Sequence, residues 1–176
     1  YVLDRSHATL SFKINHLGFS NYVGRFDKFD AKLVFDATNP TKSKVVASID
    51  PTSINTNHEE LEGKLVGSDY LNTSKYKKLT FISRQVGVTG AKSGIVAGDL
   101  NLHGITKPVA FEVSLMGHGM GAYSGAETIG FTATGKLKRS DFGIDTLLPK
   151  VGDEVTFTFD GEFLKVPPED SSAPGQ

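Results

Sequence analysis

Histidine is the first residue type to test for chemistry, and the chain has five: His7, His16, His58, His103 and His118. Imidazole is a common metal ligand and a common general base near neutral pH. The spacing suits neither role. No two histidines sit at the close intervals of a structural zinc site, and with no cysteine in the chain there is no thiolate to act as ligand or nucleophile. Arg139-Ser-Asp141 sets an acid beside a base, but a strand-end ion pair between Arg139 and Asp141 is the simpler expectation. Gly117-His-Gly-Met-Gly121 is glycine-rich, yet it lacks the strand, loop and helix context of a phosphate-binding loop and reads as a hairpin loop. No Gly-x-Ser-x-Gly elbow occurs. Asn72-Thr-Ser74 matches a glycosylation acceptor. The expectation is therefore no catalytic residue and no metal.

The elements that would position these residues belong to one domain. A chain of 176 residues with 38% hydrophobic content can bury a sizeable core without disulfides or metals to brace it. Lys+Arg 19 against Asp+Glu 20 leaves a formal charge of -1, which supplies no basic field for nucleic acid and no polybasic patch for a membrane. No apolar run reaches the ~18 residues of a membrane-spanning helix. The expected domain covers residues 1–166. Residues 167–176, rich in Pro, Ser and Gly, read as a disordered tail or the start of a linker, which leaves a further domain downstream open. The chain begins at Tyr1 already in a strand-like pattern, as a mature domain would after loss of an export signal.

Hydrophobic periodicity then sets the architecture. Ala8, Leu10, Phe12, Ile14 and His16 alternate with Thr9, Ser11, Lys13 and Asn15, the pattern of a strand with one wet face. A second run from Phe19 to Asp36 groups Phe29, Ala31, Leu33 and Phe35, whereas Tyr22, Gly24 and Phe26 have the opposite parity. Its phase slips near Asp27-Lys28, as at a β-bulge. Val45, Ala47 and Ile49 form a third strand, stopped by Pro51. Around residues 57–72 the period changes: Asn57 and Glu60 resemble a capping box, and Leu61 and Leu65 share a helical face, so one short helix is expected. Strands resume over Leu79 to Val88 with ambiguous phase, then at Val96-Leu102, Val109-Leu115, Ile129-Leu137 and Val155-Phe163. The fold class expected is all-β: eight antiparallel strands in a closed up-and-down barrel, with a two-sheet sandwich as the alternative.

The inward face is dominated by phenylalanine, with glycine at Gly24, Gly98, Gly135 and Gly161 and no tryptophan. Two readings follow. Either the rings fill a dry core and the glycines relieve curvature, or small inward residues leave a channel that the rings line. Alternation alone does not separate them.

Four blocks carry a resemblance. Asp4-Arg-Ser-His7 with Phe12-Lys-Ile-Asn-His16-Leu-Gly18 and Gly24-Arg-Phe26 comes first. Gly67-Ser-Asp-Tyr-Leu-Asn72 with Tyr76 and Leu79-Thr-Phe-Ile-Ser83 follows, then Gly98-Asp-Leu-Asn-Leu-His-Gly-Ile-Thr-Lys107, then Arg139-Ser-Asp-Phe-Gly-Ile144 with Val151-Gly-Asp-Glu-Val155. In this order, from Asp4 to Phe163, they resemble the YceI-like family of bacterial lipid-binding proteins. The resemblance implies an extended lipocalin-like barrel that is not an enzyme. It implies a periplasmic or secreted protein holding a polyisoprenoid in its bore, an isoprenoid quinone such as ubiquinone-8, for storage or transport. On that basis Phe12, Ile14, Phe29, Leu33, Phe81, Leu100, Leu102, Phe111, Phe131, Phe157 and Phe159 are expected to line the bore. His16, Asn21 and Arg139 are candidates for the head group, and Phe19, Tyr70 and Phe142 complete the expected ligand-binding set. The competing functions are a small-molecule enzyme on the same barrel, which would need inward acid and base groups, and a carbohydrate-binding or adhesion module, which would display exposed aromatic platforms. A homodimer stays open.

Overall fold

Strict alternation folds here into a single antiparallel sheet that meets itself. The structure, a computed structural model, describes residues 1–166; the expected tail at 167–176 lies outside them. The strands are β1 (Val2–His16), β2 (Ser20–Phe26), β3 (Phe29–Val34), β4 (Lys44–Ile49), β5 (Ile54–Asn55), β6 (Leu79–Gly90), β7 (Ser93–Leu102), β8 (Ile105–Met120), β9 (Glu127–Lys138) and β10 (Val151–Leu164), with one helix, α1 (Glu59–Leu65). Except for β2–β3, β4–β5 and β5–β6, strands consecutive along the chain are neighbours in the sheet, and β1 pairs with β10 from Val2↔Leu164 to His16↔Val151. That pairing removes both sheet edges.

The ten strands occupy the eight lanes of a closed barrel. β2 and β3 are one lane broken at Asp27–Lys28, where the alternation slips, and β4 and β5 are another broken at Pro51. Both breaks are fastened together: Asp27 N donates to Ser53 O and Asp50 N to Lys28 O, while Lys28 N donates to Ser53 Oγ at 2.9 Å. A register shift between Ser83 and Gln85 explains the ambiguous phase of β6. Leu79 and Phe81 face inward before it, and Val86 and Val88 after it.

Two local expectations need correction. Gly117-His-Gly-Met-Gly121 is not a loop, because residues 117–120 pair with 127–130 as the end of β8. The cap of α1 is His58, whose Nδ1 accepts from Leu61 N at 3.0 Å, not Asn57. The carboxylate that reaches back is that of Glu62, accepting from Thr56 N at 2.6 Å. Asn57 is in the left-handed region, with φ 57°.

The inward glycines are covered by rings, not by space. A Cβ on Gly24 would fall 2.4 Å from the Phe12 ring, one on Gly135 2.5 Å from Phe111, and one on Gly161 2.6 Å from Phe159. At Gly98 it would meet both the Ile82 carbonyl oxygen at 2.3 Å and the Phe81 ring at 2.8 Å. Missing Cβ atoms thus let phenyl rings lie flat on the wall and keep them off the axis, a use of glycine known from curved sheets.

Apolar packing gathers at the two ends. One cluster joins Leu79, Leu102, Leu137, Phe142, Ile144 and Val155, with Tyr70 and Leu71 against it; the other joins Leu3, Ala31, Leu33, Ile129 and Phe163. The middle is left to the rings. Replacing Gly98 by Ala should destabilise the barrel by about 1–3 kcal/mol through overpacking against backbone. Gly63→Ala in α1, where an added Cβ meets nothing within 4 Å, should stabilise by up to about 1 kcal/mol. Urea unfolding midpoints of the two variants check both signs.

Candidate ligand cavity

The barrel is hollow. A cavity of about 310 Å³ runs through its interior, at the lower end of the size range of ligand sites. Its floor is Leu79, Leu102 and Leu137 and its walls include Phe29, Leu33, Phe81, Leu100, Phe111, Phe131, Phe157 and Phe159. Alanines at Ala31, Ala47 and Ala133 leave the room between the rings. The cavity reaches solvent at one end, between the β3–β4 connection at Pro40, Ser43 and Lys44 and the β6–β7 hairpin at Val88 to Ser93. Polar side chains among the lining residues are confined to Ser43, Lys44, Lys92 and Ser93, all at this mouth. Among the described residues, no carboxylate or imidazole lines it.

The structure divides the expected ligand-binding residues. Phe29, Leu33, Phe81, Leu100, Leu102, Phe111, Phe131, Phe157 and Phe159 surround the cavity. Phe12 and Ile14 point inward and pack against the apolar cluster that plugs the closed end, Phe12 beside the cavity wall with its ring centroid 5.7 Å from that of Phe26 and 6.3 Å from that of Phe157. Tyr70 and Phe142 belong to the same plug, and Phe142 is completely buried. His16, Phe19 and Asn21 lie at the closed end, away from the mouth, on the surface; Phe19 is 90% exposed. They meet neither the cavity nor a common site. The residues missed from the sequence are those of the mouth, the inward alanines, and further apolar lining such as Phe26, Leu79, Leu137 and Phe163, whose inward parity did not reveal which of them border the cavity.

Arg139 is a correction of another kind. Its guanidinium is buried and donates to the carbonyl oxygens of Gly152, Ile144, Thr146 and Val151 at 2.8–3.2 Å, so it ties down the 139–151 connection that closes the barrel end. The expected partner Asp141 is exposed. Asp153 instead accepts from Ser140 N at 2.9 Å and Ser140 Oγ at 2.7 Å. Burial lowers the Arg139 pKa, opposed by the nearby Asp153 charge.

Beyond the cavity wall, at the open end, Glu127 accepts from Tyr1 OH at 2.5 Å, His118 Nε2 at 2.8 Å and Lys165 Nζ at 2.6 Å. These donors hold its carboxyl down at about 2. The Phe35 ring meets both the His118 and the Phe131 rings edge-on, with centroids 5.7 and 6.0 Å apart. Elsewhere Asp4, His7 and Glu162 bring one ligand atom each within 4.8 Å of one another. His7 Nδ1 and Asp4 Oδ2, 2.9 Å apart, already satisfy each other there.

Comparison with known proteins agrees with this geometry. The sequence matches the profile of the YceI-like domain over residues 1–163. The chain belongs to the YceI-like family. Protein YceI of Escherichia coli O157:H7 is 43% identical over 157 residues, covering 88% of this chain and 81% of that protein. Among solved structures the YceI-like barrel resembles BcnA of Burkholderia cenocepacia, with a TM-score of 0.83 at 23% identity over 92% of this chain and 99% of that one. It also resembles a domain from Saccharophagus degradans, described as a polyisoprenoid binding domain implicated in plant cell wall breakdown, with a TM-score of 0.69 at 20% identity over 94% and 98%. At these identities the two structures speak to the YceI-like fold.

Arg139→Lys replaces a planar fork by a point charge and strands carbonyl oxygens, so it should lower stability by at least about 2 kcal/mol, read as a fall in the urea midpoint. Glu127, whose carboxyl is depressed from 4.5 to about 2, contributes stability that is present above pH 4.5 and lost as pH falls toward 2. In acid titrations followed by circular dichroism, Glu127→Gln should flatten that limb.

Proposed function

We propose that this protein holds a long apolar lipid, with the tail in the barrel and the head at the mouth, and that it performs no chemistry on it. One observation carries this reading: an elongated interior cavity walled by hydrocarbon and phenyl rings, with every polar lining side chain at the mouth. Acid-base work needs convergent titratable groups, and the walls offer none. The description of the S. degradans domain supports an isoprenoid as the ligand class. A quinone such as ubiquinone-8, stored or carried in the periplasm, is the specific form we favour.

The energetics favour recognition by the tail. Burying one five-carbon isoprene unit is worth about 4 kcal/mol gross, at ~0.8 kcal/mol per CH₂, whereas a head-group hydrogen bond adds only about 1 kcal/mol. Immobilising a flexible chain offsets part of that gain, yet slow release follows from it. Lipid should therefore stay with the protein through purification.

Organic extraction of purified protein followed by mass spectrometry reads the bound lipid directly. Ala133→Phe fills the bore and should cut the lipid content at least about ten-fold, the effect of ~1.4 kcal/mol. Thr134→Phe, on the outward face of the same strand, should leave it unchanged. A full lipid load in the Ala133→Phe protein would overturn the cavity as the binding site.

A further inference from the structure

We propose that the open end of the barrel is a docking surface for an anionic lipid bilayer, so that the cavity loads and unloads directly against a membrane. The inference rests on the lipid-holding reading above and adds the partner. A tail kept dry in the bore cannot cross water unaided, so the mouth is where a membrane must be met.

Three features of that end fit a bilayer. The mouth is flanked by Lys44 on one bank and Lys92 on the other, with Lys42 in the adjoining turn at Pro40–Lys42. None of the three makes an ion pair among the described residues. Two carboxylates at the same end are held by hydrogen bonds. Glu127 is held by Lys165, His118 and Tyr1, and Asp36 accepts from Thr38 N, Thr38 Oγ1 and Asn39 N.

Exposed apolar side chains accompany the lysines. Val88 stands at the mouth, and Met120 and Tyr123 on the β8–β9 hairpin at the same end are exposed by 72% and 104%. Apolar anchors beside basic residues make the two-part signal that holds proteins reversibly on anionic membranes, and tyrosine favours the headgroup level. The opposite end is differently charged. Around α1 it displays Glu59, Glu60, Asp69, Asp141 and Asp145 among Lys64, Lys75, Lys77, Lys78 and Lys150, all exposed, a mixture of both signs in which Lys64 pairs with Glu60.

The test is co-sedimentation of the full chain with vesicles of phosphatidylcholine containing phosphatidylglycerol, against vesicles of phosphatidylcholine alone. Wild-type protein should partition onto the anionic vesicles, and added salt should weaken it. The pair Lys44→Glu with Lys92→Glu should reduce that partitioning at least about ten-fold. The same charge change at the closed end, Lys77→Glu with Lys78→Glu, should not. Met120→Ser with Tyr123→Ser should weaken binding to anionic vesicles without altering folding by circular dichroism. Equal partitioning onto both vesicle types, or equal loss from the two charge reversals, overturns the docking surface. So does a Lys44 and Lys92 reversal that changes which lipid is extracted while vesicle binding stays intact, because the lysines then read the cavity's own ligand. Extraction of wild-type protein in parallel separates the two proposals: anionic vesicle binding by a protein that retains no lipid would sink the carrier reading and leave the docking surface standing.

Discussion

Pairing between the first and last strands is the constraint on which the rest of the molecule depends. β1 and β10 are far apart in sequence, yet their ladder runs from Val2↔Leu164 to His16↔Val151 and converts a meander with two open edges into a wall with an inside. Only then does single-sided alternation acquire an interior. The cost of closing so long a loop rises slowly with length, and the apolar faces of all eight lanes are buried together when it closes. The same closure makes any charge placed inside expensive, which accounts for a lining whose polar side chains retreat to the mouth.

Whether such an interior is solid or hollow depends on small residues and ring orientation. Phe12, Phe81, Phe111 and Phe159 lie over Gly24, Gly98, Gly135 and Gly161, so the largest side chains thicken the wall without crossing the bore. Ala31, Ala47 and Ala133 face the space that remains. The two readings of the inward glycines meet here: the glycines do accommodate rings, and by doing so they leave a channel. One end is plugged by Tyr70, Phe142 and Ile144 behind the loop that Arg139 holds, and the other opens between two lysine-bearing turns. A tube with one mouth orients a long amphiphile, because only one end lets a polar head stay in water.

Local reading succeeded where the signal was itself local. The slip at Asp27–Lys28 was legible because a bulge inverts parity within a few residues, and the helix around Glu59–Leu65 was legible because its period differs from that of a strand. It failed where a residue's partner is remote. Gly117 to Met120 have no intrinsic strand preference and extend β8 only because β9 reaches out to pair with them. Arg139 reads as an ion-pair or head-group residue until the 139–151 connection folds four carbonyl oxygens around it.

By itself the sequence determined the all-β class and, for every strand but β6, which side faces inward, since alternation at period two is a property of neighbouring residues. Tertiary structure alone decided depth along the axis. Ile14 and Phe159 share the inward face, yet the first packs with Val155 toward the closed end and the second lines the cavity; His16 and Asn21 fall at the plugged end, and Lys44 and Lys92 at the open one. Depth follows from the stagger of eight strands around a closed barrel, a sum of registers that no single stretch of chain encodes.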